Sequence, residues 1–103
     1  MKVLFSRLAV FKLEQLSEFL IENWSSQANQ KFLLKLDSKI KYIERNPTIY
    51  PESGIQPGLR KCIVTKQTSL IYEIQSNSIF ILTIVDNRQD PAKILNEIKK
   101  HFA

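Results

Sequence analysis

The sequence is poor in cysteine and histidine, with one residue of each, Cys62 and His101. A single cysteine excludes a disulfide within the chain and is typical of proteins from a reducing compartment. One cysteine and one histidine cannot form a four-ligand zinc site by themselves. We therefore expect neither a bound metal nor another cofactor.

Long apolar runs are missing as well. The first apolar stretch, residues 3–5, is too short for the hydrophobic region of a signal peptide and leads into a charged segment. Nowhere do about 18 apolar residues follow one another, which is the length that spans a bilayer. These absences predict a cytoplasmic protein with no membrane among its partners.

Glycine and proline are also few, with two and four residues, so most of the chain can adopt regular structure. A length of 103 residues predicts one domain over residues 1–103. The net charge of +5 favours anionic partners, either nucleic acid or an acidic protein. The same charge is also typical of a surface that is merely soluble, so charge alone does not identify a partner.

Two segments space their apolar residues as amphipathic helices do. The first covers residues 7–24 behind Ser6 as N-cap, and its stripe is Ala9, Leu13, Leu16, Leu20 and Trp24, widened by Phe19. The second must end near Asn46, because Pro47 disfavours helix in the residue before it. Its stripe is Ala28, Phe32, Leu36, Ile40 and Ile43. With two serines between them, the helices are predicted to form an antiparallel hairpin.

Strand-like patterns lie on both sides of the two helices. Residues 3–5 form a first predicted strand, and after a loop over residues 47–58 three further runs follow at residues 59–65, 69–75 and 78–86. The last run is apolar on both faces, which predicts a central strand covered on both sides. Asp90 and Pro91 then open a terminal helix, whose stripe is Ile94, Leu95, Ile98 and Phe102. The predicted order is βααβββα, an α+β fold in which a helical hairpin packs on a small antiparallel sheet, with a C-terminal helix.

Few residues offer catalytic chemistry. The sequence contains no glycine-rich phosphate loop, no nucleophile elbow and no paired metal ligands. His101 falls in the last helical turn, where a cation stabilises the helix dipole. Cys62 and Tyr72 fall in apolar strands, where a buried thiol and a buried, hydrogen-bonded phenol are common. Structural roles are favoured for all three, with a nucleophilic Cys62 and a catalytic Tyr72 as the alternatives.

Basic residues form two groups. Lys31, Lys35 and Lys39 recur every four residues on the second helix, where their mutual repulsion suggests a use, although most such ridges are only solvated. The second group is the candidate site for a target or a phosphate, and it consists of Arg60, Lys61, Lys66 and Arg88. In a three-stranded meander, Lys66 and Arg88 lie at one end of the sheet and Arg60 roughly 20 Å away. These cations can line one groove but cannot meet at one point.

Several segments, taken in order, resemble the RelE/ParE superfamily of toxins from type II toxin–antitoxin systems, and especially the ParE-like plasmid-stabilisation branch. A short strand leads into a helix, and a second helix ends at Asn46-Pro47. Three strand segments then follow: Gly58-Leu59-Arg60-Lys61-Cys62-Ile63-Val64, Leu70-Ile71-Tyr72-Glu73-Ile74, and Ile84-Val85-Asp86-Asn87-Arg88-Gln89-Asp90-Pro91. The resemblance covers nearly the whole chain.

The resemblance implies a bacterial growth inhibitor that a cognate antitoxin holds in check. RelE-like members cleave mRNA in the ribosome without a metal, using basic residues with a tyrosine or histidine. ParE-like members poison DNA gyrase and are not enzymes. Aligned on the segment around Tyr72, Arg60 replaces a catalytic lysine of the RelE branch, and Arg88 or Gln89 stands for an arginine. The positions of a second lysine, a second arginine and the catalytic tyrosine hold Cys62, Ser69 and Leu95, and Asp86 stands where many relatives carry histidine.

These departures favour a toxin that binds a protein target such as DNA gyrase over an enzyme. The first alternative is a metal-independent, ribosome-dependent mRNA endoribonuclease. The second is a degenerate toxin-fold module that binds only its antitoxin or nucleic acid. Because the helical hairpin can cover only one face of the central strand, we expect an antitoxin segment on the other face or in a groove beside the terminal helix.

Overall fold

The structure is a computed structural model that describes residues 1–102. Its elements are β1 Lys2–Phe5, α1 Arg7–Asn23, α2 Ser26–Arg45, β2 Leu59–Ile63, β3 Thr68–Gln75, β4 Ser78–Asp86 and α3 Pro91–Phe102. The predicted α+β fold with the order βααβββα is therefore confirmed. The largest boundary difference is at β2, which ends at Ile63 because the next residues form a turn in which Val64 and Thr65 donate their N–H groups to the Thr68 carbonyl.

Serine caps fix the beginnings of the two long helices, as the sequence predicts for the first of them. The Ser6 hydroxyl accepts from the N–H of Ala9 at 2.9 Å and donates to the carbonyl of Leu82 at 2.6 Å. The cap therefore satisfies the first turn of α1 and also fastens that turn to β4. Ser25 caps α2 in the same way, accepting from the N–H of Ala28 at 3.0 Å.

The sheet has the strand order β1-β4-β3-β2. Strands β2, β3 and β4 form the predicted antiparallel meander, whereas β1 pairs with β4 in parallel, from Lys2 opposite Ser78 to Phe5 opposite Ile81. The sheet is thus mixed rather than wholly antiparallel, because the long path through two helices allows the chain to return beside β1 in the same direction. Strand β4 lies inside the sheet, as its two apolar faces predict.

The helical hairpin covers one face of the sheet. Helix residues Ala9, Phe32, Leu36 and Ile43 are buried in one cluster with residues of β2, β3 and β4. Val3 and Phe5 of β1 and Ile40 of α2 pack against it, which confirms the predicted stripe of α2 from Phe32 to Ile43. On α1, Leu13, Leu16 and Leu20 pack against this cluster, but Phe19 and Trp24 are 53% and 74% exposed. The apolar stripe predicted for α1 therefore packs on the core at Leu13, Leu16 and Leu20 but not at Phe19 and Trp24.

The terminal helix covers the other face. Ile94 and Ile98 of α3 are buried in a second cluster, which they form with Leu59, Ile71, Leu82 and Val85. Phe102 packs edge-to-face on Phe80, with ring centroids 6.0 Å apart. The apolar stripe of α3 thus covers part of this sheet face, and an antitoxin segment on the rest of the face or in a groove beside α3 stays a prediction. Within residues 1–102, no helix is long and apolar enough to cross a membrane.

Candidate functional site

A large concave surface lies on the side of the helical hairpin, and at one margin its residue Lys12 is paired with Glu97 of α3 at 2.9 Å. It is a groove of about 710 Å³ between α1, α2, the turn after β2 and the exit of β4. Apolar side chains that line it are Leu16, Phe19, Leu20, Trp24, Phe32, Ile84 and Val85, and its cations are Lys12, Lys31, Lys35 and Arg88. An apolar surface flanked by cations suits a ligand that is both apolar and acidic.

Phe19 and Trp24 contribute to this groove because of where they stand in α1. Trp24 is the C-cap of α1, directly before Ser25 and the start of α2. Helical spacing places it on the apolar stripe, yet it lies beyond Leu20, the last stripe residue that packs against the core. The signal available in the sequence is the position of Trp24 at the hairpin turn, past the part of the stripe that packs on the sheet.

An ion pair fixes the exit of β4. Arg88 donates to Asp86 through two side-chain N–H bonds, from Nε at 3.0 Å and from its terminal nitrogen at 2.7 Å, and through its backbone N–H at 2.8 Å. These bonds lower the pKa of Asp86 to about 2 and raise the pKa of Arg88. Asp86 is therefore an anion at neutral pH, and it balances the charge of Arg88 locally.

We expect the Asp86 carboxyl to titrate near pH 2 rather than near its ordinary value of 3.8. Since the folded-state pKa is the lower one, the pair stabilises the fold above pH 3.8, and this contribution is lost as the pH falls through about 2. The contribution is small, because the pair is exposed to solvent. A carboxyl NMR titration measures the midpoint, which Arg88→Gln should move toward 3.8. An unchanged midpoint in that variant would contradict Arg88 as the cause.

Beside this pair, a neutral hydrogen-bond network closes the end of the sheet. The fully buried Ser69 donates from its hydroxyl to Oδ1 of Asn87 at 2.5 Å. Asn87 in turn donates to the carbonyl of Lys66 at 3.1 Å and, from its backbone N–H, to that of Gln67 at 2.7 Å. Ser69 is therefore part of a neutral brace between β4 and the β2–β3 turn.

The loop before β2 is held by two of the predicted residues. The Arg60 guanidinium donates to the carbonyl of Tyr50 at 2.7 Å and to that of Thr48 at 3.3 Å. The Tyr72 hydroxyl donates to the carbonyl of Pro47 at 2.7 Å. Tyr72 and Cys62 are fully buried, and burial raises the pKa of both side chains. The buried positions predicted for Tyr72 and Cys62 are confirmed, and His101 lies exposed in the last turn of α3, where the sequence places it.

The four cations of the predicted site lie apart, as the meander requires. Arg60 and Lys61 stand on β2 opposite Tyr72 and Ile71. Lys66 lies in the turn that is braced by Asn87, the residue before Arg88. Of these four residues, Arg88 is the one that lines the groove. The structure thus joins Arg88 to the helix lysines Lys31 and Lys35 rather than to Arg60.

Comparison with protein families identifies the family to which the chain belongs. The family model described as ParE toxin of type II toxin-antitoxin system, parDE, matches residues 3–91. The chain belongs to this ParE toxin family. The matched region runs from β1 to the first residue of α3, so it contains every residue that lines the groove. The ParE-family chain is thus a type II toxin by family.

Solved structures agree in fold. The chromosomal ParDE TA system from P. aeruginosa matches with a TM-score of 0.73 and 16% identity, over 84% of this chain and 95% of that one. The YoeB dimer from Staphylococcus aureus matches with a TM-score of 0.58 and 18% identity, over 82% of this chain and 94% of that one. At such low identity the likeness concerns the fold. Among curated proteins, the ParE-family chain has no match.

Proposed function

We propose that this toxin arrests bacterial growth in the cytoplasm by binding a protein target, in the first place DNA gyrase, and that it does not cleave RNA. The observation that carries the proposal is the closed end of the sheet, where Ser69 and Asn87 bond to each other and Asp86 bonds to Arg88. Membership of the ParE family supports the choice of gyrase, since the chain resembles the branch that poisons this enzyme.

Cleavage of RNA through its 2′-hydroxyl needs a base for that proton, an acid for the leaving oxygen and cations for the charge on phosphorus. Arginine is a poor proton acceptor, and Arg60 is in any case engaged with loop carbonyls. Asp86 is an anion that repels phosphate, and the phenol of Tyr72 is buried and bonded to Pro47. A general acid and a general base typically each raise the cleavage rate 10²–10⁴-fold, so without them the chain should cleave RNA at a negligible rate.

The antitoxin is proposed to occupy the groove between the hairpin and the exit of β4. Burial of Phe19 and Trp24 by a partner would remove exposed apolar surface, and Lys31 with Lys35 would meet acidic side chains at its margin. An amphipathic helix with acidic residues on one side fits this description. The ParDE system from P. aeruginosa, whose fold this chain shares, supports a partner of the antitoxin class.

Target contact is proposed for the predicted cations. Arg60 is held by the loop before β2 and Arg88 by Asp86, so Lys61 and Lys66 are the first residues to examine. Arg88 contributes if an acidic group of the target replaces Asp86 as its partner. This assignment predicts that Lys66→Glu weakens target binding more than Arg60→Ala does.

Two assays test the proposed function. The toxin, expressed alone, should arrest growth, and the purified protein should inhibit supercoiling by gyrase while leaving mRNA intact on translating ribosomes. mRNA cleavage that Arg60→Ala or Arg88→Ala abolishes would establish the ribonuclease alternative instead. Cleavage that survives both changes would contradict the proposed mechanism and the site together. A chain that binds its antitoxin but neither arrests growth nor affects gyrase would be the degenerate module.

A further inference from the structure

One edge of α2 carries a row of cations that the groove only partly uses. We call this row the basic edge. It consists of the cations Lys31, Lys35, Lys39 and Arg45, together with Tyr42, which lies among them. Spacings of three and four residues place these side chains on one side of the helix. Of the acidic residues of α2, Glu44 lies toward the other side by the same spacing, whereas Asp37 lies at the margin of the basic edge and lines one cavity with Lys39 and Arg45. Asp37 is paired there with Lys41 at 3.0 Å, so positive charge is concentrated along the basic edge.

The dimensions of the basic edge suit a linear polyanion. At a rise of 1.5 Å per residue, the three lysines follow one another at about 6 Å, and the row from Lys31 to Arg45 is about 21 Å long. Phosphates along an extended single strand are spaced comparably. Lys31, Lys35 and Arg45 are exposed and Lys39 is half-buried, so the ammonium and guanidinium groups can reach a backbone that lies along the helix.

Tyr42 interrupts the row of cations and offers a surface on which a base could stack, and Tyr50 of the loop before β2 lies against its ring. The rings of Tyr42 and Tyr50 meet edge-to-face, with centroids 6.4 Å apart and an angle of 77° between their planes. Tyr42 is 45% exposed, whereas burial raises the pKa of Tyr50 to about 12, so its phenol stays neutral. A partly exposed ring that a second ring supports, between Lys39 and Arg45, has the features of a stacking platform.

The lining of a second cavity at this place favours nucleic acid over an acidic protein as the ligand. Its volume is about 550 Å³, and it is lined by Lys39, Tyr42, Arg45 and Tyr50 together with Asp37, Ser38 and Lys41. Within the part of the chain that the structure describes, no aliphatic side chain lines it, in contrast to the groove. Protein interfaces bury an apolar centre, whereas single-strand sites combine cations with aromatic rings.

We propose that the basic edge of α2 binds single-stranded nucleic acid, with phosphates on Lys31, Lys35, Lys39 and Arg45 and a base stacked on Tyr42. The contacts involve phosphate and base but no sugar hydroxyl, so DNA and RNA strands bind alike. This binding is independent of the proposed target and requires no cleavage. Since Lys31 and Lys35 also line the groove, an antitoxin bound there competes with the strand.

The test uses the purified full chain and fluorescence anisotropy with 12-nucleotide oligo-dT, oligo-U and a duplex of the same length. The two single strands should bind with affinities within about threefold of each other, and the duplex more weakly because its bases cannot stack on Tyr42. With four phosphate contacts, the slope of log affinity against log salt should be about −3. A duplex that binds as tightly as the single strands would overturn the proposal in favour of unspecific charge attraction.

Matched variants locate the site. Lys39→Gln and Arg45→Gln should each reduce the salt slope by about 0.7, and Tyr42→Ala should weaken binding about tenfold while Tyr42→Phe retains it. Lys100→Gln is the control, since it removes the same charge from exposed α3, on the opposite face of the sheet. An equal loss of affinity in Lys100→Gln, or no loss in Tyr42→Ala, would overturn the proposal.

A competition experiment tests the class of ligand. Displacement of the strand by poly-glutamate at equal charge concentration would also overturn the proposal, because it would indicate an acidic protein ligand. Failure here would leave the gyrase and cleavage assays unaffected, so the two proposals are tested separately.

Discussion

Replacing Leu36 by alanine is expected to lower the free energy of unfolding by about 2–5 kcal/mol. Leu36 is 4% exposed and belongs to the core cluster between the hairpin and the sheet. Truncation removes buried methyl and methylene groups and leaves a cavity that the surrounding strand residues fill only in part. Urea unfolding followed by circular dichroism measures the change, through a lower midpoint with an unchanged slope.

Lys35, the preceding residue, supplies the control. It is exposed on α2, so Lys35→Ala should change the free energy of unfolding by less than about 0.5 kcal/mol. Comparable losses in Leu36→Ala and Lys35→Ala would contradict the assignment of the buried face of α2. The comparison is stringent because the two positions are adjacent and both lie in the middle of one helix.

The main elements could be predicted because their causes are local. The apolar period of α2, the cap at Ser6 and the restriction that Pro47 imposes each depend on a few neighbouring residues. The parallel pairing of β1 with β4 joins residues about 76 positions apart, as the Ser6–Leu82 bond does, and no local pattern specifies it. Trp24 continues the helical stripe, but whether sheet lies beneath it depends on how far α1 extends past β4.

The site could be predicted only in part for a similar reason. The cations and the replaced residue Ser69 are visible in the sequence, but the partner of Ser69 is Asn87, 18 positions away. The sequence predicts Arg60 as a contact for a phosphate or a target. In the structure its hydrogen-bond partners are instead carbonyls of a loop whose conformation the sequence leaves open. The Asp86–Arg88 pair, two residues apart, is the exception. It could have been anticipated as a local charge pair at a strand exit.

The largest effect on binding is expected at Phe19 in the groove, and this prediction rests on the proposed function. Phe19→Asp should weaken binding of the cognate antitoxin at least about 100-fold, because it removes an aromatic anchor and places a carboxylate against an acidic, amphipathic partner. Isothermal titration calorimetry with the purified antitoxin measures the loss. Since Phe19 is 53% exposed, the variant should keep its thermal midpoint.

Phe11 offers a matched control on the same helix. It is 54% exposed and is not among the residues that line the groove, and it lies eight residues before Phe19, about 12 Å along the axis of α1. Phe11→Asp introduces the same charge and removes the same ring, so it should leave the dissociation constant within about twofold, as surface changes outside an interface do. In cells, antitoxin co-expression should rescue growth with Phe11→Asp but not with Phe19→Asp. Equal losses of antitoxin affinity in both variants, with both still folded, would place the antitoxin outside the groove. A partner that contacts only the groove does not contact Phe11.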